Sequence, residues 1–467
     1  MRLIPIFTWN KTIKKFGNST RRLSAAPWFQ GVLLLICVII AMLLANLPAT
    51  RTLYRDFLET AVQMHFSSPD GKIDILFPRD MNIEKFINDI LMVVFFFTVG
   101  LEIKREIADG ELSSARKAML PVIAAFGGVA VPAIIFILIN HGTAAASGWG
   151  IPTATDIAFA VCIMSVLGDK VPISLKVFLT ALAIADDLIA ILVVALFYGG
   201  AINFGLLAIA LGVIILTLIL RRLGEKRMAP YLFFAFLVWV LFYYSGIHAT
   251  MSGVVMAFLI PVKPRYNKAY FFHKRATYNA RIDSWEKHIS PTAFPNGPQR
   301  HSIHELCKIY NGSMDMSYRV EHALSPWVNF LIMPIFALAN AGVEITDPSY
   351  LNVFKFDPAL GGAGMGVFLG LVLGKPVGIT LTSWIAIKCK AGEMPEKADW
   401  KMFFAVACLG GIGFTMSIFV DTLSFGDQPM DVMMHLRDAG KIAVLLGSLC
   451  SGILGTVLIS LAHRSKE

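Results

Sequence analysis

Charge is scarce in this sequence of 467 residues. Only 16% of the residues are Asp, Glu, Lys or Arg, whereas 56% are hydrophobic and the mean hydropathy is +0.65. Soluble domains carry about 25% charged residues. A chain this apolar could not cover its own surface in water, which argues against a soluble enzyme, a DNA-binding domain and a disordered regulator. In a membrane protein, the few charges inside apolar segments are expected to be functional.

Two further absences narrow the class of protein to which the chain can belong. The six cysteines form no CxxC pair and most lie in apolar runs, so the sequence indicates no disulfide framework and no cysteine metal site. The first residues, MRLIPIFTWNKTIKKFGNSTRRL, are basic but lack an apolar core followed by a small-residue cleavage site. We therefore expect residues 1–27 to form a retained cytoplasmic tail. The net charge of +9 is expected to follow membrane topology rather than nucleic-acid binding.

Long apolar runs fill most of the chain. A membrane helix needs about 20 mostly apolar residues, and this template predicts an all-α, multi-pass membrane protein with about 12 transmembrane helices. The predicted spans are 28–48, 86–103, 118–140, 145–167, 174–198, 202–220, 229–245, 246–262, 323–342, 361–387, 402–421 and 439–462. Lys and Arg concentrate in the even-numbered loops and are absent from 141–144, 199–201 and 245–246. This asymmetry predicts that both ends of the chain, including 463–467, are cytoplasmic.

Two segments lie outside this series of spans. Residues 28–262 hold the first eight spans, but within 49–83 the run Pro69-Asp70-Gly71 predicts a turn between two extended stretches, and so a small extracellular hairpin. Residues 263–320 are polar, basic and rich in His and Pro. We expect them to form a cytoplasmic insert, mainly a solvated loop, before the last four spans in 321–462. The histidines of the insert lack metal-ligand spacing.

Two adjacent carboxylates lie at the middle of the fifth span, LKVFLTALAIADDLIAILVVALFY. Placing an ionised group at the centre of a membrane helix costs about 2.5–3.5 kcal/mol of insertion free energy, so Asp186 and Asp187 together are strongly unfavourable there. Repulsion between like charges also opposes ionising both. Adjacent helical residues point about 100° apart, so one carboxylate can face an ion path while the other contacts a neighbouring helix. The alternative is that both only stabilise helix packing.

The fourth span contains a helix breaker, in GWGIPTATDIAFA. Pro152 lacks a backbone donor and is expected to break the helix at mid-depth. Thr153, Thr155 and Asp156 then begin the second half-helix, whose positive end Asp156 can offset. Unwound backbone within a bilayer is tolerated only where it lines a site or is buried in protein. An ordinary proline kink with an N-cap aspartate is the alternative.

Unusual residues also mark the tenth and eleventh spans. Lys375, in GVFLGLVLGKPVGITLTSW, needs an anionic partner, most naturally an aspartate, unless it reaches an interface. In CLGGIGFTMSIF the glycines 410, 411 and 413 weaken the helix, although glycines also permit close packing. Interruptions of the fourth and eleventh spans, in opposite halves of the chain, indicate the transport site of an inverted-repeat transporter.

Titratable residues also cluster at predicted cytoplasmic helix ends. GLEIKRE carries Glu102, Arg105 and Glu106, and Arg105 can pair with Glu102 at i,i+3. Glu321 and His322 open the ninth span. Charges at such positions either anchor the helix ends or regulate the protein, and spacing does not decide between these roles. His248, in SGIHATMSG, is open to the same two interpretations, a packed histidine or a sensor.

Taken in order, the motifs resemble the NhaA family of sodium/proton antiporters. The resemblance covers nearly the whole chain except the first residues, part of 49–83 and the insert, which is longer than the family's loop. It implies twelve helices, with helices three to five and ten to twelve as inverted repeats. This family is among those on which the rule for paired interrupted helices rests, so the rule gives no independent support. The motifs are VGLEIKRE, IPTATDIAFA, LAIADDL, SGIHATMSGV, VEHALSPWVNFLIMPIFALANAGV, LGKPVGI and GIGFTMSIF.

The resemblance also implies residue roles. Asp187 matches the family's cation- and proton-binding aspartate, Asp186 its neighbour that pairs with the family lysine, Lys375, and Thr155 belongs to the same site. Asp156 and Lys375 are implied to balance the dipoles of the broken helices. The positions implied in pH sensing are Glu102, Arg105, Glu106, Glu321 and His322. The family hairpin, here near 62–76, implies a homodimer, and the family's place is the bacterial cytoplasmic (inner) membrane.

The resulting hypothesis is alternating access around one site. Deprotonated Asp187, with Asp186 and Thr155, binds Na⁺ or Li⁺, because hard cations prefer oxygen ligands, and protons compete for the same carboxylates. We expect no cofactor, no nucleic-acid partner and no enzymatic activity. An intramembrane aspartyl protease would need its two aspartates on separate helices, one of them in GxGD. A sodium-coupled solute symporter on a related fold is the alternative function, and a passive channel is disfavoured by the lysine and paired carboxylates.

Overall fold

The fold is helical, with one small sheet. A computed structural model describes residues 27–62, 64–67, 74–77, 81–200, 202–285, 297–345 and 352–464. The predicted tail at 1–27 (apart from Pro27), the turn at 69–71 and the end of the chain at 465–467 lie outside the described residues. Within 49–83, the strands β1 (Met64–Ser67) and β2 (Asp74–Phe77) pair antiparallel, with Met64 opposite Phe77 and Ser67 opposite Asp74.

The helices of the described residues begin and end close to the predicted spans. In the first half of the chain they are α1 (Pro27–Asn46), α2 (Arg51–Glu59), α3 (Ile83–Ala108), α4 (Ala115–Asn140), the 3₁₀ helix α5 (Ala144–Thr153), α6 (Ile157–Leu167), α7 (Ile173–Phe197), α8 (Phe204–Arg222), α9 (Met228–Ser245) and α10 (Thr250–Leu259). In the second half they are α11 (Lys268–Trp285), α12 (Gly297–Ser313), α13 (Met316–Asn340), α14 (Ala363–Lys388), α15 (Trp400–Leu409), α16 (Phe414–Ser424) and α17 (Met430–Arg464).

The chain is a multi-pass membrane protein by the length and composition of its helices. Among the described residues, nine helices are long and apolar enough to cross a membrane, and up to eleven spans result if each of two bent helix pairs is one span. The remaining predicted span corresponds to α10, which has only 10 residues. Ten residues extend about 15 Å, half the thickness of a bilayer core. The count of twelve spans therefore stays a prediction.

The helices divide into two compact units. The first comprises Met1–Met92, Glu106–Gly200 and Val328–Glu467. In it α4 packs along α14 at a crossing of two glycines, where a Cβ on Gly378 would lie 2.2 Å from the Gly127 carbonyl oxygen. Any side chain at this crossing would push the helices apart. Gly127 and Gly378 thus hold α14, which carries Lys375, against α4.

The second unit comprises Val93–Arg105 and Ala201–Trp327. Its core is an apolar cluster that includes Leu101, Tyr231 and Met256. Gly246, whose φ of 86° is left-handed, ends α9 and separates it from α10, at the boundary predicted between the seventh and eighth spans.

The insert at 263–320 is more ordered than a solvated loop. Its helices α11 and α12 pack against each other, and the N–H groups of Arg265 and Tyr266 both donate to the Gly312 carbonyl, at 2.8 and 3.0 Å. The expectation of a mainly irregular loop was therefore wrong. Its polar composition hid the helices, because neither of them contains a long apolar run.

Candidate ion-binding site

The fourth predicted span is two helices with a short extended break. The 3₁₀ helix α5 and the helix α6 are bent by 41°, and Ala154 and Asp156 between them are extended. We predicted the break at Pro152, but Pro152 lies inside α5 and the break follows it. The missing N–H of Pro152 removes a backbone hydrogen bond at the end of α5, and the chain leaves the helix after Thr153.

The eleventh predicted span is interrupted at its glycines. The helices α15 and α16 are bent by 51° across residues 410–413. A Cβ on Gly411 would lie 2.4 Å from the Leu371 carbonyl oxygen, so only glycine permits this approach of α14. The two breaks meet, because the Asp156 N–H donates to the Ile412 carbonyl at 2.6 Å.

Asp156 joins the two breaks through its side chain as well. Its Oδ1 accepts from the Phe159 N–H at 3.2 Å and so caps α6. Its Oδ2 accepts from the Thr415 N–H at 3.1 Å and from the Thr415 hydroxyl, in the first turn of α16. One buried carboxylate therefore lies at the positive ends of two half-helices, where a negative charge is favoured.

The remaining predicted site residues form a buried cluster beside the breaks. The Lys375 ammonium on α14 donates to Asp186 Oδ2 at 2.5 Å and to the Thr155 hydroxyl at 2.9 Å. The Thr155 hydroxyl donates in turn to the Gly410 carbonyl at 2.9 Å. Asp187, on α7 next to Asp186, also interacts electrostatically with Lys375. Asp186 and Lys375 are each 1% exposed and Asp187 is 3% exposed.

This cluster can exchange one cation for another. Its carboxylate, hydroxyl and carbonyl oxygens are the ligand types that hard cations prefer. The lysine ammonium already occupies part of this oxygen set as an internal cation. A buried charge without its partner is strongly unfavourable, so removal of the ammonium leaves a strong demand for another positive charge.

The residues at the predicted regulatory helix ends lie together in part. In the second unit, Arg105 forms an ion pair with Glu321 and lies 3.9 Å from Glu102 Oε1. The His322 ring stacks on Tyr318 with a centroid distance of 5.8 Å. In the first unit, Glu106 Oε2 accepts from the Glu111 N–H at 3.1 Å. The structure thus unites Glu102, Arg105 and Glu321.

Comparison with known proteins identifies the family. Residues 21–459 match the family model described as Na⁺/H⁺ antiporter 1. The chain belongs to this family. A Na⁺/H⁺ antiporter NhaA of Oleidesulfovibrio alaskensis is 39% identical over 457 residues, which cover 97% of this chain and 96% of the relative. A second, Na⁺/H⁺ antiporter NhaA 2 of Flavobacterium johnsoniae, is 40% identical over 438 residues, which cover 94% and 91% of the two chains.

Escherichia coli O1:K1 provides a further relative. Its Na⁺/H⁺ antiporter NhaA is 37% identical over 426 residues, covering 91% of this chain and 93% of the relative. The NhaA resemblance read from the motifs is confirmed. These matches cover more than nine tenths of the chain and make it a membrane antiporter of the NhaA family.

Two charged residues of the antiporter escaped the sequence analysis. Lys104 was counted among the charges of a cytoplasmic loop, but it is 8% exposed and its ammonium donates to the carbonyls of Ala257, Phe258 and Ile260 at the end of α10. Asp421 ended a predicted span and was not considered, but it is fully buried on α16. The signal for Asp421 was present, because an acidic residue directly follows the apolar run of GIGFTMSIFV.

Proposed function

We propose that this antiporter exports Na⁺ or Li⁺ in exchange for H⁺ at the cluster of Asp186, Asp187, Thr155 and Lys375. The observation that carries the proposal is the ammonium of Lys375, held 2.5 Å from a buried carboxylate that adjoins a second buried carboxylate. Family membership supports the exchange of Na⁺ for H⁺. The geometry supports these residues as the ones that perform it.

Cation binding begins with deprotonated Asp187. The cation takes oxygen ligands from Asp187, Asp186 and Thr155. The Lys375 ammonium gives up its contact with Asp186 because two positive charges this close repel each other. Lys375 either moves away still charged or loses its own proton. In the reverse step, protons neutralise the carboxylates and the cation leaves.

Alternating access follows from the two breaks. Thr155 is bonded to both Lys375 and the Gly410 carbonyl, so a change at the lysine reaches the backbone of both broken helices. Electrogenic exchange, which we propose with the family, lets the membrane potential contribute about 2.3 kcal/mol per charge per 100 mV. Asp156 remains in place as the charge that balances both half-helix ends.

We further propose that the Arg105–Glu321–Glu102 cluster, with Glu106 and His322, adjusts activity to pH. The side chains of Arg105 and Glu102 are partly exposed, so protons reach this cluster without passing the central site. The working location is the bacterial inner membrane, with both ends of the chain in the cytoplasm and a homodimer formed through the hairpin near 62–76. The antiparallel pairing of β1 and β2 supports such a hairpin.

The test is Na⁺-evoked collapse of a pH gradient in everted membrane vesicles. Asp187→Asn should abolish the response, because the amide cannot carry the charge that both ions require. Asp169→Asn, an exposed aspartate in the same unit, is the matched control and should respond like the unmodified protein. Full activity of Asp187→Asn would contradict the assignment. Uptake of a labelled solute driven by Na⁺, without proton movement, would favour a symporter instead.

A further inference from the structure

A second buried carboxylate lies on α16, away from the central cluster. Asp421 is 0% exposed, and neither of its carboxylate oxygens accepts a hydrogen bond from the described part of the chain. Buried polar groups nearly always have partners, and a buried carboxylate without donors is costly in its charged form. Asp156, which begins the same helix pair, accepts three hydrogen bonds. Asp421 is therefore not built as a structural cap.

The surroundings of Asp421 leave space for its carboxylate. A Cβ on Gly440 of α17 would lie 2.0 Å from Asp421 Oδ1, so the carboxylate packs directly on a bare backbone. The charged groups that act on it are Arg437, Asp438 and Lys441 of α17. The neutral Tyr198, which follows α7, also interacts with it. Arg437 donates to the Thr422 carbonyl. Two cations and one further anion thus surround the carboxylate.

A line of buried polar and small residues joins Asp421 to the break. On α16, Ser417 lies one turn before Asp421 and Gly413 one turn before Ser417, and residues four apart share one helix face. Ser417 is 0% exposed, and its hydroxyl has no hydrogen-bond partner among the described residues.

The facing surface of α17 continues this line. It offers Gly440, Ser448 and Ser451, and the Ser448 hydroxyl accepts from the Phe414 N–H at 3.1 Å. Ser451 faces Gly411, where a Cβ would lie 2.7 Å from its hydroxyl oxygen. We call this set (Ser417, Asp421, Gly440, Ser448 and Ser451) the polar seam.

The polar seam runs along α16, which begins at the break beside the central cluster. Asp421 lies six residues beyond Thr415, which is about 9 Å along a helix axis. Thr415 is bonded to Asp156 at the break. A proton that moves between the far end of α16 and the break would thus meet Asp421 first and the Ser417 hydroxyl next.

We propose that Asp421 is a second proton-binding site of the antiporter, a relay carboxylate between water at the far end of α16 and the central carboxylates. This proposal rests on the proposed function. A hydronium ion at the far end of α16 gives a proton to the carboxylate, which becomes a neutral carboxylic acid, and water remains. The acid later releases the proton along the polar seam toward the central carboxylates. The ligand is a proton rather than Na⁺, because a proton needs only one carboxylate oxygen, whereas a hard metal cation needs a set of oxygen ligands.

The first experiment detects the proton directly. Infrared difference spectra of the purified, reconstituted full chain, recorded between alkaline and acidic pH, should show the carbonyl stretch of a protonated carboxylic acid. Asp421→Asn should lose part of this signal, and Asp431→Asn, an exposed aspartate at the start of α17, should keep all of it. An unchanged signal in Asp421→Asn would overturn the proposal. The Asp421 signal should persist in Asp187→Asn, so the result does not depend on whether the proposed transport function is correct.

The second experiment connects the proton to transport. In proteoliposomes, Asp421→Asn should move the pH of half-maximal Na⁺/H⁺ exchange by about one unit, which is about tenfold in proton concentration. The apparent KM for Na⁺ at alkaline pH should not change, because the cation ligands are intact. Gly440→Ala should shift the profile in the same way by displacing the carboxylate, and Ser417→Ala should shift it less. A folded Asp421→Asn protein with an unchanged pH profile would refute the relay.

Discussion

The Lys375–Asp186 ion pair of the first unit and the Arg105–Glu321 ion pair of the second unit differ in how much water reaches them. The side chains of Lys375 and Asp186 are 1% and 2% exposed, whereas those of Arg105 and Glu321 are 39% and 9% exposed. Removing one partner of a buried pair leaves an uncompensated charge in a medium of low polarity. A partly exposed pair is screened by water and salt and contributes about 0–1 kcal/mol.

This difference fits two kinds of work. In the proposed function, the charge of the buried carboxylates is balanced either by Lys375 or by the ion that replaces it. The second cluster contains the partly exposed side chains of Arg105 and Glu102, which fits its proposed role in the response to pH. The predictions below separate the two behaviours.

The largest effect is expected from Lys375→Met. It leaves Asp186 buried without a cation and should lower the free energy of unfolding by about 3–5 kcal/mol. Thermal unfolding of the detergent-solubilised protein, followed by loss of the monodisperse peak in size-exclusion chromatography, measures this. Lys401→Met, an exposed lysine on α15, should change nothing. The double variant with Asp186→Asn should recover part of the loss, and equal stability of Lys375→Met and the unmodified protein would disprove the buried-pair interpretation.

The next largest effect on stability is expected from the loss of helix N-caps. A lost N-cap costs about 1 kcal/mol, and Asp156→Ala removes the acceptor of two half-helices at once. Asp399→Ala, which removes the acceptor of the Met402 N–H at the start of α15, is the matched single-cap comparison. Asp156→Ala should therefore destabilise the protein about twice as much in the same unfolding assay. Equal losses would show that the second cap, at Thr415, contributes nothing.

A smaller effect on stability is expected from Glu321→Gln. The change should stay within about 1 kcal/mol, because Arg105 is 39% exposed and water screens its charge. The pH profile of exchange should shift instead, and the shift should shrink at high ionic strength. The control is Glu305→Gln, which breaks the exposed pair with Lys308 on α12 and should leave the profile unchanged. A shift that salt does not reduce would count against the distinction between exposed and buried pairs.

The smallest effect tests an exposed carboxylate within the first unit. The N–H groups of Ala359 and Leu360 donate to Asp357 and hold the pKa of its carboxyl below the ordinary value of 3.8. Its contribution to stability is therefore complete above pH 3.8 and is lost as the pH falls through the lowered pKa. Asp357→Asn should remove this slight acid sensitivity, as measured by unfolding temperature against pH. A large change would mean that location in the first unit, rather than burial, sets the size of the effect.

The sequence supported the prediction of the central site because charges in apolar spans are rare. Four residues stand out because a charge inside a membrane span is unfavourable: Asp186, Asp187, Asp156 and Lys375. The motifs around them carry the family resemblance. What spacing could not provide was the partner of each group. The bond from Lys375 to Thr155, and that from Asp156 to Thr415, join residues more than 200 positions apart. Such contacts depend on how the helices pack.

Other features were hidden for different physical reasons. The break near Pro152 falls after Thr153 because a 3₁₀ helix can accommodate the proline. Lys104 looked like a topological charge, since its neighbours are charged, yet the end of α10 buries it with three carbonyls. The helices of the insert have too little apolar surface to be detected by periodicity.

The N–H groups of Arg265 and Tyr266 share the Gly312 carbonyl. This contact affects how much the length of the insert can vary. Residues 267–311 begin and end at this contact, so the two ends of the insert are held close together. The entropy of closing a loop grows only slowly with loop length. Insertions or deletions within residues 267–311 should therefore cost the rest of the fold little stability. The contact at Gly312 is a position where an accessory segment can be joined to a transporter.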